Sequence, residues 1–217
     1  MSIKNRFTPE DLERIKEAVK SAETKISGEI VPVFVERSGF YTIANYRGAM
    51  ILAVLTFMTV IVIDRYVAAS PLMDPLIIFF VVALAGFLGG AATHSIEALK
   101  RIMVSQNHLD LSTRKRAETA FLEEEVFNTR HRTGILIFVS FFEREVMVLA
   151  DRGISKVVEQ QEWDKMVQGI IEKIRLGKVT EGIEAAIQRC GEILLEKGFN
   201  KTPDDINELR DDLRMED

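Results

Sequence analysis

The sequence predicts an α/β domain interrupted by a pair of membrane-length apolar helices, and three features of the 217-residue chain lead there. Residues 48–63 and 75–92 are two apolar stretches without a single charge, set inside an otherwise charged chain. Residues 134–142 form a near-continuous β-branched and aromatic run, the mark of a strand buried on both faces. Amphipathic stripes of helical period lie before and after these segments.

Taken in order, Thr8 is placed to cap a helix, Pro9 suits its first position, and Glu10 and Asp11 lie in its first turn. Phe7 and Leu12 are spaced as a hydrophobic staple. Leu12, Ile15, Val19, Ala22 and Ile26 continue as one stripe, and Ser27 and Gly28 end it. Residues 29–37 read as a strand, and Pro32 within it predicts an edge position or a bulge, because proline cannot donate to the ladder. The apolar stretches follow. A spanning helix needs about 17–25 predominantly apolar residues; the second stretch meets this, and the first does so by including Asp64 and Arg65, with Tyr66 as an interfacial anchor. Buried core helices of this length normally keep a polar face, so the pair reads as a transmembrane hairpin.

Beyond it, residues 95–104 continue helically, 107–111 read as a break, and 112–128 as a helix with Ala117, Ala120 and Phe121 inward. Strand 134–142 follows, then a turn at Glu143 and Arg144, and a third strand at 145–150. Two amphipathic helices close the domain. One carries Trp163, Met166, Val167, Ile170, Ile171 and Ile174. The other carries Val179, Ile183, Ala186, Ile187, Cys190, Ile193 and Leu194. The tail after Asn200 is polar and expected to be loose. Strand 29–37 finds partners only after the hairpin, so the hairpin is an insertion within one domain. The organisation is therefore 1–40 as the first part of the domain, 41–104 as hairpin and juxtamembrane helix, 105–199 as the second part, and 200–217 as a polar tail.

Charge sets the expected topology. Arg37 and Arg47 precede the first span; Lys100, Arg101, Arg114, Lys115 and Arg116 follow the second; the connection 64–74 carries one Arg against two Asp. The positive-inside rule puts both termini in the cytoplasm of a bacterial-type plasma membrane. The N-terminus shows no apolar h-region. The lone Cys190 suits a reducing compartment and helix packing. A net charge of −5 without a basic stripe argues against nucleic acid as a partner. The lipid bilayer is the expected partner. Ala83, Gly86 and Gly90 line one side of the second span, for contact with Ala49 and Ala53 of the first, or with another membrane protein or a second copy.

Arg116, Ala117 and Phe121, the run Thr133-Gly-Ile-Leu-Ile-Phe-Val-Ser140, Glu143-Arg-Glu-Val, Leu149-Ala-Asp-Arg-Gly-Ile154 and Trp163 fall in the same order as in the TPM domain family. The chain resembles that family's bacterial membrane-protein branch, in which a transmembrane hairpin interrupts the domain. The resemblance implies a small αβα sandwich and, for relatives, a proposed acid phosphatase activity, divalent-metal binding and upkeep of membrane complexes. The Gly/Asp-containing extended segment that precedes the first helix in phosphatase-proposed relatives is missing here.

The connectivity makes strands 29–37 and 134–142 parallel and 145–150 antiparallel to the second, so Glu29, Thr133, Asp151 and Arg152 gather on one rim of the sheet. Asp110 joins them only if the segment before helix 112–128 folds back. Asp151, Glu29 and Asp110 are candidate ligands for a hard divalent cation (Ca²⁺, Mg²⁺ or Mn²⁺), and Arg152 is a candidate fork for a phosphate. The plainer alternatives are Asp151 as a turn or helix cap, Arg152 as a surface residue and Glu29 as a charge at a strand start. His94, His108 and His131 lack metal-ligand spacing and read as surface residues. No Gly-x-Ser-x-Gly or phosphate-loop signature occurs. The expected role is a membrane-anchored binding or maintenance module for a membrane complex; the alternative is a metal-dependent phosphomonoesterase using Asp151 and Arg152.

Overall fold

The computed structural model describes residue 3 and residues 6–67, 74–202 and 207–216. It divides into two compact units, Met1–Ser38 with Asp110–Asp217, and Gly39–Leu109.

The first unit is an αβα sandwich. Helix α1, Pro9–Glu23, starts on the predicted capping box: the Asp11 N–H donates to Thr8 Oγ1 (3.1 Å) and the Thr8 N–H to Asp11 Oδ2 (2.9 Å). Strands β1 (Glu29–Val35), β2 (Gly134–Ser140), β3 (Glu145–Ala150) and β4 (Arg214–Glu216) form one sheet in the order β3-β2-β1-β4. β1 and β2 are parallel, β2 and β3 antiparallel, as the connectivity requires. Side chains alternate across the pleat. Ile30, Phe34, Ile135, Ile137 and Val139 join a core with α1, α7 (Gln160–Arg175) and α8 (Val179–Glu196). Val31, Val33, Val35, Leu136 and Phe138 join a smaller one with Ala117 and Ala120 of α5 (Gln106–Glu123). Trp163 is buried in the larger core. Cys190 is fully buried beside Met166, and burial pushes its thiol up to about 12, which fits packing rather than nucleophilic chemistry.

Three expectations are corrected. β1 is an interior strand, not an edge, because β4 pairs along its outer side. That pairing covers only Val33–Val35, so β4 does not reach Pro32; on its other side Pro32 lies opposite Ile137 in the unbroken register with β2. The tail is not loose throughout: Arg214–Glu216 is that fourth strand, anchored by ion pairs from Arg214 to Glu124 (2.9 Å) and from Arg116 to Glu216. Residues 107–111 are no break, since α5 already begins at Gln106 and the interruption falls at Ser105.

In the second unit, α2 (Thr42–Val62) runs into a π-helical turn at Ile63–Val67, and α3 (Pro75–Ser95) starts from Asp74, whose Oδ1 accepts the Leu76 N–H at 2.8 Å. Residues 68–73 of the predicted outer connection lie outside the described residues. Helical structure past α3 is broken at Ile96, whose backbone is extended, and resumes as α4 (Glu97–Ile102). Gly86 faces Ala53, and Gly90 faces Ala49, so the small-residue side of α3 packs on α2. The closest approach is at Gly48 and Gly89, where a Cβ on Gly89 would stand 2.5 Å from the Gly48 carbonyl oxygen. Phe57, Phe79, Phe80 and Phe87 point outward, and both helices are long and apolar enough to cross a membrane.

Candidate functional site

The rim at the start of β1 and β2 is built by three chain crossings. Glu29 pairs with Gly134, and Ile135 with Ala150, so Glu29, Thr133 and Asp151 meet at one end of the sheet. The Glu29 N–H donates to the Thr133 carbonyl (3.3 Å) and the Asp151 N–H to the Gly134 carbonyl (2.9 Å). Gly134 and Gly153 serve close backbone approach: a Cβ on Gly134 would run into the Val126 carbonyl, and one on Gly153 would stand 2.5 Å from the Arg132 carbonyl oxygen.

Asp151 is 5% exposed and caps the short helix α6, Arg152–Ser155, with Oδ1 accepting the Arg152 N–H at 2.7 Å. Its Oδ2 pairs with Arg132 Nε at 2.9 Å. Arg152 is exposed. Glu29 is buried, and its two oxygens accept the N–H groups of Glu208 (3.1 Å) and Leu209 (3.4 Å), tying the C-terminal segment to the sheet. Burial holds its carboxyl above the usual range, and those backbone donors pull the other way.

Asp110 does not join this rim. It shares a hydrogen bond with Glu145, which pairs with Ser140 at the opposite end of the sheet. There Glu143 is fully buried, accepting the Ser38 N–H on Oε1 (3.0 Å) and the Ser140 hydroxyl on Oε2. Desolvation and the Asp110 carboxyl push Glu145 up to about 7. His94, His108 and His131 are all exposed.

Sequence reasoning missed Glu23. It is 6% exposed, and Oε1 accepts the Ile30 N–H at 2.8 Å while Oε2 is buried with no hydrogen-bond partner among the described residues. Burial first, then the neighbouring Glu29 carboxylate, push it up to about 8. Glu23, Glu29, His131, Thr133, Lys201 and Glu208 line a cleft with about 10 Å³ of room, enough for one water-sized sphere. The signal was available: Glu23 falls four residues after Val19 on the buried stripe of α1. Among the described residues, no three acid, imidazole or thiol groups stand together as a ready-made metal ligand set.

The fold is an α/β sandwich around a four-stranded sheet. Residues 99–193 match the family model of the TPM domain. A solved relative in fold is the BA42 protein of the psychrophilic bacterium Bizionia argentinensis, determined by NMR. It is 19% identical with a TM-score of 0.58, over 96% of this chain and 94% of that one. No curated protein matches the chain.

Proposed function

We propose that this chain is a membrane-anchored TPM-like domain that works as a binding or maintenance module for a membrane complex. The observation that carries the reading is the second unit: two helices of membrane length whose small residues pack on each other and whose large apolar side chains point outward. Lipid is the solvent that suits such a surface. Arg37, Arg47, Lys100 and Arg101 flank the spans, which supports cytoplasmic termini in a bacterial-type plasma membrane. The phosphomonoesterase alternative is the weaker reading, since the Asp151 carboxylate it needs already caps α6 and pairs with Arg132.

The test is fractionation followed by thiol mapping. The chain is expected to stay in membrane pellets after alkaline carbonate. A membrane-impermeant thiol reagent should label Ser70→Cys in intact cells and reach Arg210→Cys only after lysis. Release by carbonate, or labelling of Arg210→Cys in intact cells, overturns the reading. A phosphate-release assay with Mg²⁺, Mn²⁺ or Ca²⁺, beside Asp151→Ala, tests the alternative.

A further inference from the structure

We propose that the open edge of β3 is a dimer interface, at which Val146–Ala150 pairs antiparallel with the same strand of a second copy of this chain and joins the two sheets into one. β3 is the terminal strand of the sheet, with β2 along its inner side. The Asp151 N–H donates to the Gly134 carbonyl, and hydrogen-bonded pairs alternate along an antiparallel ladder, so Glu145, Met147 and Leu149 turn their backbone groups toward β2. Those of Val146, Val148 and Ala150 point the other way, and none of them has a hydrogen-bond partner among the described residues. Natural sheets blunt such an edge with a short strand, a charge, a proline or a bulge. The opposite edge is blunted in that way, since β4 is three residues long and carries Arg214 and Glu216. Between Val146 and Ala150, β3 has no charge and no proline, and its register with β2 runs without a bulge.

The outward groups are complementary to themselves, which selects a second copy as the partner. Val146 and Ala150 are evenly spaced about Val148. A two-fold axis through Val148, perpendicular to the sheet, sets Val148 opposite itself and Val146 opposite Ala150 of the second copy, with each outward N–H facing an outward carbonyl. Such a contact makes about six inter-chain hydrogen bonds, two from each facing pair. An axis through Met147 would instead set Ala150 against the turn at Arg144. Two-fold contacts of one patch with itself are also the commonest closed assembly. The side chains agree with this register. Met147, Val148, Leu149 and Ala150 are only partly buried in one copy. Met147 meets Leu149 of the second copy on the face of the smaller core, while Val146 meets Ala150 and Val148 meets its twin on the face of the larger. All these cross-strand pairs are apolar and gain from being covered. The acids lie past the overlap: Glu145 precedes it, and Asp151 follows it with its charge met by Arg132. The pairing goes beyond the membrane reading and needs only the sheet, so a failed membrane placement leaves it standing, and a monomeric chain leaves the membrane placement standing.

The experiment measures the protein mass of the detergent-purified full chain by sedimentation, with the detergent's share subtracted. A dimer is expected at about 100 μM or below. Val148→Pro removes an N–H that only a partner strand would use, at a place where an edge strand tolerates proline. It should leave the circular-dichroism spectrum unchanged and weaken association about tenfold or more. Leu149→Lys puts a charge on the open edge and should do the same. Register is read by disulfide trapping with copper phenanthroline as oxidant. Met147→Cys mixed with Leu149→Cys should give a mixed dimer faster than either variant alone, since only that pair stands directly opposite. Cys190 is fully buried and takes no part. A chain that stays monomeric up to about 100 μM overturns the proposal and leaves the edge to a strand of another protein. A dimer of unchanged affinity in both edge variants, as one held through the hairpin would be, overturns it equally, and so does trapping without preference for the mixed pair. If Val148→Pro fails to fold, Leu149→Lys and the trapping decide.

Discussion

The two ends of the central sheet each bury acidic side chains, and they treat them differently. At the end where β1 and β2 begin, Glu29 and Asp151 face backbone N–H groups, and Asp151 also has the Arg132 guanidinium. At the end where β1 and β2 finish, Glu143 is held by a backbone N–H and a hydroxyl, while Glu145 meets another acid, Asp110. Donors stabilise a carboxylate as an anion; a second carboxyl stabilises it by sharing a proton. Each end thus holds one acid set to change its proton count near neutral pH, Glu23 at the first through burial and the nearby Glu29, and Glu145 at the second through burial and Asp110.

The largest expected break in this contrast is Gly134→Ala. Its Cβ would collide with the Val126 carbonyl at the rim, and the cost should be about 3 kcal/mol or more, read as a fall in the urea midpoint with loss of cooperative unfolding. Glu143→Ala attacks the other end. Removing a fully buried acceptor strands the Ser38 N–H and the Ser140 hydroxyl, at about 2–4 kcal/mol in chemical denaturation. An equal and small loss from both variants would show that neither end is as tightly determined as its packing implies.

The comparison sharpens with pH. Glu23 and Glu145 both have folded values above the ordinary 4.5, at about 8 and about 7. Each therefore contributes stability that is fully present below pH 4.5 and is lost as pH rises through its folded value. Wild type should lose stability between pH 5 and 9. Glu23→Gln should remove the upper part of that slope, on the order of 2 kcal/mol at pH 9. Glu145→Gln should flatten the part near pH 7 by less, since Glu145 is only half-buried and faces Asp110, Thr113 and Glu143. Slopes that match wild type in both variants would assign the dependence elsewhere. The smallest effect belongs to Arg144→Gly. Arg144 sits in the β2–β3 turn with a φ of 58°, and glycine there should gain about 0.5–1 kcal/mol.

Much of this architecture is written locally. The α1 cap, the stripes of α7 and α8, and the runs of β2 and β3 each follow from spacing within a dozen residues. What was not legible depends on distant partners. Arg214-Met215-Glu216 has no strand-like run; it becomes β4 because β1 offers an open ladder between Val33 and Val35. Gln106–Leu111 is polar enough to read as a break, yet it is the first turn and a half of α5. The rim followed from strand directions alone, which brought Glu29, Thr133 and Asp151 together. Asp110 fell at the other end because α5 starts there, and Glu23 was passed over because a charge near a helix end looks solvated.

The position of β1 has a consequence for the order of events on the ribosome. Roughly 100 residues, the apolar helix pair among them, separate Val35 from its partner strand at Gly134, so at about 5–20 residues per second β1 waits on the order of 5–20 s for a neighbour. During that interval α1 and β1 expose a strand of three valines, one isoleucine and a phenylalanine with both edges open, beside a nascent hairpin that is itself apolar. Synthesis thus gives the hairpin first claim on its environment, and the sandwich can close only after that choice has been made.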